Sequence, residues 1–144
     1  MIQHFSNIGF NVSKTIPLIA PINRGDNNHQ RCVEILPSPI APLITTRACF
    51  TEAMYLLGQY GDWLAQQELW GYLADEILAI HHHTSDELSR MKSLMEQYRD
   101  VPMDLADASL VTMTEVLEQR QIFTLDSHFY IYRLWGNQSF EVVP

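Results

Sequence analysis

"PMDLADASLVTMTEVLEQRQIFTLDSHFYIYR", residues 102–133, is the stretch on which the fold turns. Behind Pro102 stands Asp104, an aspartate able to cap a helix. Leu105, Ala108, Val111 and Leu117 then recur at helical spacing and are expected to turn inward, which predicts a helix over 104–119. "QIFTL" follows as a short apolar run of buried-strand character and delivers Asp126 at its carboxyl end. A capped helix leading into a short buried strand is the repeating unit of a parallel α/β protein.

The same grammar extends outward on both sides. "EILAI" (76–80) reads as a strand. Thr84 with Glu87 three residues later has capping-box form and opens a helix carrying Leu88, Met91, Met95 and Tyr98 on one face. Upstream, "SPIAPLITT" (38–46) is a strand candidate ending at Thr45 and Thr46, either of which caps a helix over 46–59. That helix holds Phe50, Met54 and Leu57 in register, with Glu52 inside it. Asp62 caps the amphipathic "DWLAQQELWGYL". Nearer the start, Ile8–Val12 reads as a strand, and "TIPLIAPIN" as a turn whose helical start is broken by Pro17 and Pro21. "RGDNNHQRCVEIL" offers Asp26 or Asn27 as the cap of a helix with Cys32, Val33 and Leu36 on one face. "SFEVV" (139–143) is the last strand. Strands separated by helices predict an α/β sandwich with a mostly parallel sheet, in which ligands sit outside the carboxyl ends of the strands.

The chain has 144 residues, 47% hydrophobic and 18% charged, the mixture of a soluble globular protein read as one domain. The uncharged run Ile35–Thr46 contains Pro37, Pro39 and Pro42, which excludes a membrane helix there. "MIQHFSNIGFNVSK" lacks a basic segment followed by an apolar one, so no signal peptide and a cytoplasmic location are expected. Cys32 and Cys49 have no CxxC spacing and read as buried thiols. A net charge of −8 argues against broad electrostatic binding to nucleic acid, but clustered carboxylates remain what a hard cation needs.

Three acids stand at or near strand exits: Glu52, Asp107 and Asp126. Brought to one crevice they would repel, and Mg²⁺ would relieve the repulsion while polarising a phosphoryl oxygen. Each also has a plainer reading. Asp104 is most simply a cap, Asp107 a partner of the helix dipole, Glu52 a solvated helix residue and Asp126 a turn former. The triplet His81–His83 invites a zinc reading, but consecutive residues of an extended segment point to alternating faces, so a polar strand end is expected instead. Trp63, Trp70 and Tyr72 read as core or dimer surface. No glycine-rich phosphate loop or Ser–His–Asp signature is present.

Taken with "LITTRACFTEAMYLLGQYG" (43–61), residues 102–133 resemble PIN-domain proteins, the group that includes VapC-type toxins. The similarity runs from about Thr15 to the C-terminus, behind an atypical segment 1–14. It implies a three-layer α/β/α sandwich and Mg²⁺- or Mn²⁺-dependent ribonuclease activity. By position, the family's second acid falls on Glu52, its third on Asp107 with Asp104 flanking it, and its fourth on Asp126. Arg47 and Arg133 are candidates to steady a phosphate. The family also implies RNA as substrate, a small antitoxin protein as partner and a homodimer. The chain departs from the pattern at two places. Lys14 occupies the position of the first metal-binding aspartate, with Ile16 at the glycine position, and His128 replaces a second aspartate before the phenylalanine. A lysine there can pair with Asp107 or Asp126 and take over the electrostatic role of the metal. The alternative that follows is a catalytically degenerate PIN domain that binds protein or nucleic acid. His128 reads as a surface residue, a substitute ligand or a proton shuttle.

Overall fold

The computed structural model describes residues 11–13, 22, 42–124 and 126–143. In chain order the described elements are β1 (Asn11–Ser13), β2 (Leu43–Thr46), α1 (Arg47–Tyr60), α2 (Trp63–Ala74), β3 (Leu78–His81), α3 (Ser85–Gln97) and α4 (Leu105–Val116). They continue with β4 (Gln121–Phe123), a 3₁₀ turn (Ser127–Tyr130), β5 (Arg133–Leu134), β6 (Gln138–Ser139) and β7 (Glu141–Val143). Five strands form one sheet in the order β3-β2-β1-β4-β7, and all its pairings are parallel.

Alternation along the strands divides the core in two. Leu43 and Phe123 face the cluster built with Phe50, Ala53 and Leu57 of α1 and Leu69 of α2. Their neighbours Ile44 and Ile122 face the opposite cluster, with Met91 and Leu94 of α3 and Leu110, Val111 and Met113 of α4. A period-2 strand between two helical layers gives the three-layer sandwich. None of the described helices is long and apolar enough to cross a membrane.

Among the described residues, the caps read from the sequence hold. Thr46 accepts from the Cys49 amide at 3.2 Å and Asp62 from that of Leu64 at 3.0 Å. Thr84 and Glu87 form the reciprocal box. Leu105 is an exception to the expected inward stripe. From Ala106 to Thr114 every residue of α4 is buried, so the middle of the helix has no solvent face, and Leu105 at its first turn is 54% exposed. Leu88, placed on the inward face of α3, is also exposed, and both leucines border the cavity described below.

Two further elements went unread in the sequence: the 3₁₀ turn and the β5–β6 hairpin, whose turn places Trp135 and Gly136 at φ 50° and 84°. Cys49 is buried, as expected. The expected helix over "RGDNNHQRCVEIL", Cys32, and residues 14–21 with Lys14 lie outside the described residues.

Candidate functional site

In the sheet order, β2 and β4 flank β1 on opposite sides. The strand order therefore reverses at β1/β4, where a doubly wound sheet opens its crevice. Ser13 is in register with Phe123, so β1 and β4 end together, and Asp126 lies three residues beyond β4. Asp126 caps the 3₁₀ turn: its Oδ1 accepts from the His128 amide at 2.9 Å and lies 3.1 Å from His128 Nδ1. Asp104 caps α4, its Oδ1 accepting from the Asp107 amide at 2.7 Å. That cap fixes the first turn of α4 and with it Asp107, which is only 3% exposed.

A buried carboxylate needs donors. One is Tyr132, fully buried, whose hydroxyl donates to Asp107 Oδ2 at 3.1 Å. Burial, then the Asp107 charge and hydrogen bond, then Asp126 and Asp104, push the Tyr132 phenol far above its usual range, so it stays protonated. Asp107 binds the phenol directly, whereas Asp126 and Asp104 act on it through their charge. Its ring is held edge-on by Tyr98 and Phe129, with centroids at 5.2 and 5.1 Å. Tyr132 was not picked out in the sequence. Its position within "FYIYR", next to the motif, was the available signal.

Glu52 lies on α1 and lines an open cavity of about 830 Å³ together with Arg47, Thr51, His81, His82, His83 and Asp104. Asp104 thus belongs both to the cavity and to the group around Tyr132. Arg47, at the start of α1, reaches His82 Nδ1 at 3.3 Å. Arg133 differs: its Nη1 donates to the carbonyls of Tyr130, Ile131 and Tyr132 at 2.7–3.0 Å, closing the end of the 3₁₀ turn.

The histidine triplet alternates as expected, since His81 is buried and His82 exposed. The same alternation brings His81 and His83 together, their ring centroids 4.9 Å apart. Both meet Glu87 Oε1, His81 Nε2 at 2.6 Å and His83 Nδ1 at 3.2 Å, while Glu87 Oε2 accepts from the Thr84 amide at 2.9 Å. Burial pushes the Glu87 carboxyl up, but the bonds from His81, Thr84 and His83 together outweigh it and hold the group at about 2. Burial also pushes the His83 imidazole down. The signal missed in the sequence was His-x-His at a strand end with an acid at the third position of the following helix.

No family model and no curated protein matches this sequence. Solved structures do resemble it in shape. VapC20 of Mycobacterium tuberculosis, a sarcin–ricin-loop-cleaving toxin, superposes with a TM-score of 0.72 at 15% identity over 82% of this chain and 90% of its own. VapBC2 of Rickettsia felis, solved on a DNA fragment from its promoter, gives 0.67 at 13% identity over 94% and 99%. A toxin–antitoxin complex from Klebsiella pneumoniae gives 0.60 at 16% identity over 93% and 96%. With its parallel sheet between helical layers, the chain has the PIN-domain fold of the VapC proteins.

Proposed function

We propose that this chain is a metal-dependent endoribonuclease of the toxin type, held in check by a small antitoxin protein. The observation that carries the reading is the buried Asp107 carboxylate held by Tyr132, in the same helix turn as its cap Asp104, which shares a cavity with Glu52. The donor set fits the ion. Carboxylate oxygens are the ligands Mg²⁺ and Mn²⁺ prefer. Asp107 and Asp126 would hold it, with Glu52 and Asp104 reaching it directly or through water. When bound, such an ion polarises the phosphoryl group and lowers the pKa of water.

The remaining work falls to the protein. Tyr132 fixes the buried Asp107 carboxylate, and His128 does the same for Asp126 from a more exposed position, where it can also pass a proton to solvent. Arg47, on the cavity wall, is placed to meet a phosphate, whereas Arg133 is engaged with backbone carbonyls. At a net charge of −8, RNA is gripped locally at this wall rather than by a broad basic surface. An antitoxin, or a second copy of the chain in a homodimer, would cover the exposed Tyr55, Tyr60, Trp63, Leu64 and Trp70 of α1 and α2. One neighbour named as a toxin and one named as a toxin–antitoxin complex support the reading.

The test is cleavage of a structured ribosomal RNA fragment in Mg²⁺ or Mn²⁺ by the natural chain, Glu52→Gln and Asp107→Asn. Endonucleolytic products that need the divalent ion and both carboxylates are expected. Equal cleavage by Asp107→Asn, or none by the natural chain, overturns the reading.

A further inference from the structure

We propose that His81, His83 and Glu87 form a binding site for one first-row transition-metal ion of the zinc class, on the wall of the cavity that also takes Glu52 and Asp104. The site is made of different residues from the carboxylate group around Tyr132 and does not depend on the nuclease reading. Two imidazoles and one carboxylate are the mixed nitrogen and oxygen donors that Zn²⁺ accepts with a fourth position left open, whereas Mg²⁺ prefers oxygen alone.

The geometry is that of one coordination sphere. One donor atom from each of the three residues lies within 4.8 Å of the others. A tetrahedral ion with bonds of about 2.0–2.1 Å needs neighbouring donors roughly 3.3 Å apart, so His81 Nε2 and Glu87 Oε1, now 2.6 Å apart, must open while the His83 donor closes in. The scaffold is stiff: His81 ends β3, and Glu87 sits in the first turn of α3 inside a capping box. The Thr84 amide holds Glu87 Oε2 and leaves Oε1 to the two imidazoles, the outer support that metal-ligating carboxylates receive. His81 and His83 line the open cavity, which gives an ion and its water a way in.

A hydrogen-bonded clamp without metal would explain the burial of Glu87. It does not explain His83. The side chain of His83 is 10% exposed, and its Nε2 is buried with no hydrogen-bond partner among the described residues. A buried polar atom left this way is destabilising. With Nδ1 engaged by Glu87, Nε2 is the nitrogen left to bind an ion, which would give it the partner the described residues do not supply.

The experiment uses the whole chain, produced without a polyhistidine tag and stripped with a chelator, then titrated with Co²⁺ and back-titrated with Zn²⁺. One equivalent of Co²⁺ should give the visible bands of a tetrahedral site. Zn²⁺ should bleach them, and millimolar Mg²⁺ should not. His83→Gln should weaken binding by more than the roughly 10–100-fold that outer-shell partners contribute, whereas the Asp107→Asn, Asp126→Asn double variant should leave it unchanged. Absence of the bands, or binding that survives His83→Gln and disappears in the aspartate variant, overturns the site. X-ray absorption on the zinc-loaded natural chain decides even if His83→Gln fails to fold. Two imidazole scatterers are expected, and an oxygen-only sphere refutes the proposal.

Discussion

Replacing Tyr132 by phenylalanine removes one oxygen and leaves the ring. Because the ring packs edge-on against Tyr98 and Phe129 and has no exposed surface, the substituted ring would keep those contacts, and the change isolates the hydroxyl. That hydroxyl donates to a carboxylate only 3% exposed. A hydrogen bond to a charged group contributes about 1.5–3 kcal/mol, and withdrawing it from a buried acceptor leaves a desolvation penalty behind. The expected loss is therefore about 1.5–3 kcal/mol at pH 7, which at this chain length lowers Tm by roughly 3–12 °C. Urea denaturation of the chelated protein measures it through the midpoint at constant slope. Tyr132→Leu should lose more, because ring packing goes as well. A Tyr132→Phe protein within about 0.5 kcal/mol of the natural chain, or more stable, refutes the claim that this phenol supports Asp107.

Other outcomes follow from the same structure. Glu118 sits at φ 53° where α4 ends, with the Gln119 amide on the Thr114 carbonyl at 3.1 Å; Glu118→Gly should relieve left-handed strain and raise Tm by about 1–4 °C in a thermal melt. Glu115 receives both Arg90 nitrogens, at 3.0 and 3.2 Å, and the Trp135 amide at 2.9 Å; Glu115→Ala should cost about 1–3 kcal/mol by urea titration and free the β5–β6 hairpin to exchange its amides faster. Because Glu87 is held at about 2 against an ordinary 4.5, its contribution is fully present above pH 4.5 and lost as pH falls towards 2. The stability gap between the natural chain and Glu87→Gln, up to about 3 kcal/mol in chelator at pH 7, should close over that window, and a gap independent of pH would count against the clamp. Lys14→Asp should raise affinity for Mn²⁺ if position 14 faces the acids, and unchanged affinity would dissociate it from them.

The layers of the fold were legible because strand and helix periods differ. Leu43 and Ile44 alternate, Phe50 and Leu57 recur on one helix face, and Thr46, Asp62, Thr84 and Asp104 announce their helices through side-chain oxygens. Helix ends were harder to read. α2 and α4 both stop with a glutamate, Glu76 or Glu118, in the left-handed conformation where glycine is the usual signal. α4 misled for another reason: a helix whose middle is buried on all sides has no stripe, so the exposure of Leu105 left no trace in the pattern. Of the candidate site, the aspartates stood out because caps and strand exits have local signatures. Tyr132 and the His81–His83–Glu87 trio did not, since the first depends on contact with Asp107, 25 residues away, and the second on a strand end meeting the next helix.

The most direct measurement of the central claim is Mn²⁺ binding followed by electron paramagnetic resonance at pH 7. The proteins compared are the natural chain, His83→Gln and the Asp107→Asn, Asp126→Asn double variant. If Asp107 and Asp126 hold the ion for phosphodiester cleavage, the natural chain and His83→Gln bind Mn²⁺ alike and the double variant does not. Mn²⁺ binding that persists in the double variant, or is missing from the natural chain, would contradict it.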